Sequence, residues 1–135
     1  YIVTDARGNI HEVSVVPNPS TLATEAQDVL VAQLTPVTGR GFLRPEISQT
    51  LAQDVRDHVI GCERLVVCEC EGIVSGFVAA SLKQMGEQRI YHLEGIIIEP
   101  QFQASGIAYS LLRRELAVTD ADILARVLTG RTVMH

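Results

Sequence analysis

Basic side chains are scarce in this sequence. Lys83 is the only lysine, and 16 acidic residues against 11 basic ones leave a net charge of −5. Phosphate backbones are gripped by clustered Lys and Arg, so this balance excludes a general nucleic-acid binder. Long apolar runs are missing too. Ile96-Ile97-Ile98 and Phe77-Val78-Ala79-Ala80 fall far short of the roughly 18 residues that a membrane helix needs. The first 20 residues show no basic start followed by an apolar stretch, so neither export nor a membrane partner is expected, and the chain is assigned to the cytoplasm. Cysteines number three, an odd count that reads poorly as a disulfide framework. Cys68 and Cys70, two apart in an apolar run, share one face of a strand and read as buried thiols in a reducing compartment. Cys68-Glu69-Cys70 lacks a second ligand pair, and His11, His58, His92 and His135 are scattered, so no metal site is expected.

What remains is an ordinary globular balance, with 47% hydrophobic and 20% charged residues over 135 positions. That length holds one core, and residues 1–135 are read as a single domain. The chain starts at Tyr1 without an initiator methionine, so both ends are expected to be cut from something longer.

Tyr1 to Thr4 and Ile10 to Val16 flank the turn formers Asp5-Ala6-Arg7-Gly8-Asn9, predicting a β-hairpin that ends at Pro17-Asn18-Pro19. Ser20 or Thr21 then caps a helix carrying Leu22, Ala26, Leu30 and Leu34 at four-residue spacing and ending before Pro36. Thr35 to Pro45 reads as a loop with Arg40, Phe42 and Arg44. Glu46 to Ile60 repeats the helical spacing with Ile47, Leu51, Val55 and Val59, and Gly61 stops it. Leu65 to Cys70 and Ile73 to Ala80 form strands across the Glu71-Gly72 turn, the second apolar on both faces and so central in a sheet. Lys83 to Arg89 reads as a polar loop, and Ile90 to Ile98 as a strand with a bulge at Gly95. Ser105 to Leu116 is helical, with Ile107, Ala108, Leu111, Leu112 and Leu116 on one stripe and Arg113 and Arg114 outward. Ala121 to Leu128 is a last strand. A strand, helix and strand in succession close by a right-handed crossover, so Ile90 to Ile98 and Ala121 to Leu128 should run parallel. The fold class is α/β with a mixed sheet.

The stretch Ile98 to Ala108 carries the chain from a strand end into a helix start, where free backbone N–H groups and the positive end of the helix dipole suit a phosphate. Gly106 and Ala108 lack bulk. The run Gln103-Ala104-Ser105-Gly106-Ile107-Ala108, after Ile98-Glu99-Pro100, resembles the acetyl-CoA signature of the GNAT superfamily of N-acetyltransferases: an aliphatic-x-Pro strand end, then Gln/Arg-x-x-Gly-x-Gly/Ala. The order of elements is similar as well, over about residues 10 to 129.

The resemblance implies a GNAT-like acyltransferase fold, with antiparallel strands and one splayed parallel pair, truncated after the fifth core strand, Ala121 to Leu128. It implies acetyl-CoA as co-substrate, its pyrophosphate on N–H groups from Ala104 to Ala108, flanked by Gln103 and Tyr109, and its pantetheine arm along Ile96, Ile97 and Ile98. Ala104 and Ser105 stand where the family often has a basic residue or Gly, which should loosen the coenzyme by about 1 kcal/mol or less. Glu94 occupies the position of a glutamate that takes the amine proton; Leu93, Gly95 and Ile96 around it predict an apolar setting, and His92 on the same face is the reserve base. The family's thiolate-protonating tyrosine has no match, since Tyr109 lies within the signature helix. Arg40, Phe42 and Arg44 lie where relatives meet a small-molecule or peptide amine acceptor. The edge of the last strand is expected to be covered by a tail or by a second copy in a homodimer. A non-catalytic acyl-CoA sensor or interaction module of the same fold is the alternative. A flavodoxin-like domain would need mostly parallel strands, and the hairpin at Glu71-Gly72 speaks against it.

Overall fold

The computed structural model describes residues 1–41 and 49–126. Among them, β1 (Ile2–Thr4), β2 (Ile10–Pro17), β3 (Arg64–Cys70), β4 (Ile73–Met85), β5 (Gln88–Ile98) and β6 (Ile123–Arg126) form one sheet in chain order. Neighbours are antiparallel up to β5. β5 and β6 are parallel, Ile90 opposite Ile123 and Leu93 opposite Arg126, as the crossover rule requires. The crossover is α3 (Ile107–Val118). Helices α1 (Thr24–Gly41) and α2 (Gln49–Gly61) connect β2 to β3.

The sheet has helices on both faces, so the alternating apolar residues of its central strands fill two cores. On one face Leu34, Val37, Leu51, Val55 and Val59 of α1 and α2 meet Leu65, Val67, Phe77, Ala79 and Ile97. On the other, Ile107 and Leu111 of α3 meet Val66, Val78, Ala80, Tyr91 and Leu93. The three thiols are buried, with Cys68 and Cys70 sharing the α3 face.

Several boundaries differ from expectation. α1 does not stop before Pro36 but carries it inside, six residues from the helix end at Gly41 when both are counted. The proline denies the Ala32 carbonyl its partner, at a usual cost of about 3 kcal/mol. Val37 is 2% exposed and Thr38 and Gly39 are buried too, and the Thr35 and Thr38 hydroxyls donate to the Val31 and Leu34 carbonyls. Burial thus outweighs the local penalty. The expected loop from Thr35 is therefore helix as far as Gly41, and Phe42, Arg44 and the start expected for the second helix at Glu46 lie outside the described residues. Lys83 to Arg89 is not a loop: β4 and β5 continue as an exposed ribbon, Met85 opposite Gln88, around a Gly86-Glu87 turn. Polar side chains there reflect two wet faces rather than irregular backbone. The signature helix starts at Ile107, two residues later than expected, because Gly106 is left-handed. The last strand is described as Ile123–Arg126, and Val127 and Leu128 lie outside the described residues.

Two bulges shift the sheet's phase. Opposite β3, Gly76 pairs with Cys68 and Val74 with Glu69, leaving Ser75 as the extra residue on β4. Opposite β4, Gly95 pairs with Ala79 and Leu93 with Ala80, leaving Glu94 extra on β5, one residue from the predicted bulge. The second bulge explains why Tyr91 and Leu93 face α3 while Ile97 faces α1.

Candidate active site

β5 ends at Ile98, held close to β4 by a glycine. A Cβ on Gly76 would lie 2.7 Å from the Ile97 carbonyl oxygen, so no larger residue fits there. Glu99 follows, its N–H donating to the Ser75 carbonyl at 2.8 Å, and Pro100–Phe102 makes one 3₁₀ turn. Ser105, fully buried, donates through both N–H and Oγ to the Phe102 carbonyl at 3.0 and 2.6 Å. Its own carbonyl accepts from the Ala6 N–H at 2.8 Å. Gly106 has φ 80°, a left-handed conformation that glycine adopts readily and other residues do not. The nearest atom to a Cβ there, on Ala6, is 3.6 Å away, so backbone geometry and not crowding asks for glycine.

The N–H groups of this turn divide cleanly. Those of Ser105 and Gln103 are used locally, and that of Ile107 reaches the Ser105 Oγ at 3.4 Å. Those of Ala104, Gly106, Ala108 and Tyr109 have no partner among the described residues. Ala104 and Gly106 are exposed, at the positive end of a 12-residue helix. Such a set of donors fits an anion. The Gln103 amide does not join them. It donates to the Ile98 and Gly41 carbonyls at 3.1 and 3.3 Å, closing the turn onto α1.

Arg40, expected to meet an acceptor from a loop, sits in the last turn of α1. It grips Glu99 with two bonds, Nε to Oε1 at 2.6 Å and Nη2 to Oε2 at 3.0 Å. Ile96, Ile97 and Ile98 pair with β4, and on their other side the described part of β6 stops opposite Leu93. Those three residues therefore have no strand partner on that side among the described residues.

Glu94 and His92 both lie near Ser81, on the α1 and α2 face of the sheet. His92 is paired in register with Ser81, and the Ser81 Oγ lies 3.5 Å from Glu94 Oε1. The expected apolar setting is not there: Glu94 is exposed, because a bulge lifts its side chain out of the packed layer. His92 Nδ1 is buried with no partner among the described residues. Cys62 is nearby. Burial first, then the negative charge of Glu94, pushes its thiol up to about 11, so it is a poor nucleophile at neutral pH.

Two buried polar clusters escaped the sequence reading. In the first, the Glu115 carboxylate, fully buried on α3, accepts from Tyr1 and Tyr91 hydroxyls at 2.7 Å and from Arg64 Nε and Nη2 at 2.8 Å. Burial opposes its charge, yet these donors win and hold it below the usual carboxylate range. Its signal was present, since Glu115 continues the Ile107, Leu111 spacing. In the second, His11 Nε2 donates to Asp5 Oδ2 at 2.9 Å and Nδ1 meets the Ser75 hydroxyl at 2.8 Å. The alternation of His11 with Val13 on β2 placed that imidazole on the inner face.

The fold has solved counterparts. An aminoglycoside N-acetyltransferase, AAC(6')-Iy, in complex with CoA superimposes with a TM-score of 0.56 at 14% identity, covering 95% of this chain and 83% of that one. A GNAT family acetyltransferase from Staphylococcus aureus gives 0.57 at 12% identity, covering 89% of each chain. The chain has the GNAT fold. A ribosomal-protein-alanine N-acetyltransferase from Brucella melitensis shares it too, with a TM-score of 0.57, 10% identity and 89% and 81% coverage. No family model and no curated protein matches the sequence. In the GNAT fold the mixed sheet and the parallel β5 and β6 pair agree with the expected architecture.

Proposed function

We propose that this chain transfers an acetyl group from acetyl-CoA to an amine. The observation that carries the reading is the set of N–H groups at Ala104, Gly106 and Ala108 with no partner among the described residues, within a Gln-x-x-Gly-x-Ala run at the start of α3. These groups hold the pyrophosphate, and the pantetheine amides pair with the edge of Ile96 to Ile98, which has no strand partner among the described residues, as an added strand does. Oriented this way, the thioester lies beside the bulge of β5.

An alkyl ammonium with pKa near about 10.4 must lose a proton before its nitrogen can attack. Glu94 accepts it, directly or through one water, from the exposed face of the bulge. The amine nitrogen then bonds to the thioester carbon, the carbon–sulfur bond breaks, the acylated nitrogen releases its second proton to water, and the departing thiolate takes a proton from solvent. His92, whose Nδ1 has no partner among the described residues, is the alternative acceptor. Both terminal contacts of Arg40 go to Glu99, so its part is to tie α1 to the strand end, and acceptor choice rests on other residues.

The exposure of Glu94 supports a second reading, an acyl-CoA-binding module that does not turn over. Calorimetric titration with CoA and a free-thiol assay with a panel of amines separate the two. The enzyme reading expects binding and amine-dependent thiol release. Binding without release supports the module, and no binding by the folded chain overturns both.

A further inference from the structure

Asp5, His11 and Ser75 form a buried hydrogen-bonded chain with 5%, 0% and 0% exposure. Their order resembles a nucleophile triad. Ser75 is sealed inside the sheet, however, and no substrate atom can reach its Oγ. The chain does other work. Asp5 Oδ1 accepts from the Arg7 and Asn9 N–H groups, and Oδ2 from the Asn9 amide and His11, so one carboxylate organises the whole β1–β2 turn. Burial opposes its charge, and these bonds outweigh the burial. Ser75 reaches His11 only because it is the extra residue of the β4 bulge. Regular alternation would place it with Phe77 on the opposite face.

Each member is one contact away from the turn at the start of α3. The turn ordered by Asp5 presents the Ala6 N–H to the Ser105 carbonyl at 2.8 Å. The His11 ring meets Phe102 edge to face, centroids 5.0 Å apart, and Phe102 holds Ser105 by two bonds. The Ser75 carbonyl takes the Glu99 N–H at 2.8 Å. Three contacts from one buried chain thus converge on residues 99, 102 and 105, either side of the exposed donors.

We propose that Asp5, His11 and Ser75 are positioning residues for the coenzyme: they fix the β1–β2 turn, Phe102 and Glu99 as a single support that holds the N–H groups of Ala104, Gly106 and Ala108 in their binding arrangement. This rests on the coenzyme reading above. Preorganised donors bind an anion without an ordering cost, and loosening their support raises that cost.

The test compares two folded variants that each lose one buried hydroxyl. Ser75→Ala cuts the support, whereas Tyr91→Phe cuts the Glu115 cluster, which does not touch the turn. Ala6→Pro removes the N–H donor to Ser105 and stiffens the β1–β2 turn at Asp5, and serves if Ser75→Ala fails to fold. In the coenzyme-free protein the Gly106 amide resonance should move in Ser75→Ala and Ala6→Pro and stay in place in Tyr91→Phe. CoA dissociation constants should rise about tenfold in Ser75→Ala, about three- to tenfold in Ala6→Pro and less than twofold in Tyr91→Phe. An unmoved Gly106 resonance and wild-type CoA affinity in both support variants overturn the proposal alone. A folded wild type that binds no CoA overturns the coenzyme reading itself, and the positioning role with it.

Discussion

Two bulges, on neighbouring strands, each carry a polar side chain on their extra residue. At Ser75 the extra residue turns inward, is fully buried, and has both its hydroxyl and its carbonyl bonded. At Glu94 it turns outward, and its only hydrogen bond among the described residues is to the Ser81 hydroxyl at 3.5 Å. The same backbone device therefore serves opposite ends: one bulge tightens the support of the turn at the start of α3, where we propose the coenzyme binds, and the other leaves a carboxylate open to solvent. A binding site for a rigid anion gains from preorganisation, whereas a proton acceptor must reach and release its proton.

The sharpest way to break this contrast is at the turn itself. Gly106→Glu sets a side chain on a left-handed backbone and a negative charge among the free donors. CoA binding should fall below detection by calorimetry, with the fold retained in circular dichroism. Next comes Glu94→Gln at the open bulge. Turnover should drop roughly 10²- to 10⁴-fold with CoA affinity nearly unchanged, the reverse of the Gly106 result. Retained activity there, with loss in His92→Ala, would move the base to His92.

Glu115→Gln tests whether the buried side depends on charge. It strands Arg64 beside two tyrosines and should cost about 3 kcal/mol in a denaturant titration. The wild type should show the same dependence on pH. Glu115 is held below its unfolded pKa, so its contribution is complete at neutral pH and fades as pH falls from about 4.3 through the lower folded value. Stability that did not decline in acid, or declined equally in Glu115→Gln, would contradict this. The smallest effect belongs to Arg40→Ala. Its side chain is 48% exposed, so the pair with Glu99 is worth about 1 kcal/mol or less, read as a fall of a few degrees in Tm.

The unequal legibility of the two bulges has a physical origin. Local features were readable: Gly95 beside Glu94 marked a bulge, Glu71-Gly72 marked a hairpin, and the stripe of Ile107, Leu111 and Leu112 marked a helix. Each depends on residues adjacent in sequence. Ser75, Asp5 and His11 are separated by up to 70 positions, and nothing local says that a serine in an apolar strand turns toward a histidine on β2. Helical spacing put Glu115 on the inner stripe of α3, but its partners Tyr1, Tyr91 and Arg64 come from three other parts of the chain. Pro36 misled for the opposite reason. Its local preference is strong, but the burial of Val37 that overrides it is a property of the packed helix pair.

The central claim, that the start of α3 is a coenzyme cradle, is tested most directly by amide chemical shifts during a CoA titration of the wild-type chain. The largest shifts should fall on Ala104, Gly106 and Ala108, with smaller ones along Ile96 to Ile98 and none at Tyr91. Saturable shifts confined to another surface, or none at all up to millimolar CoA, would contradict it.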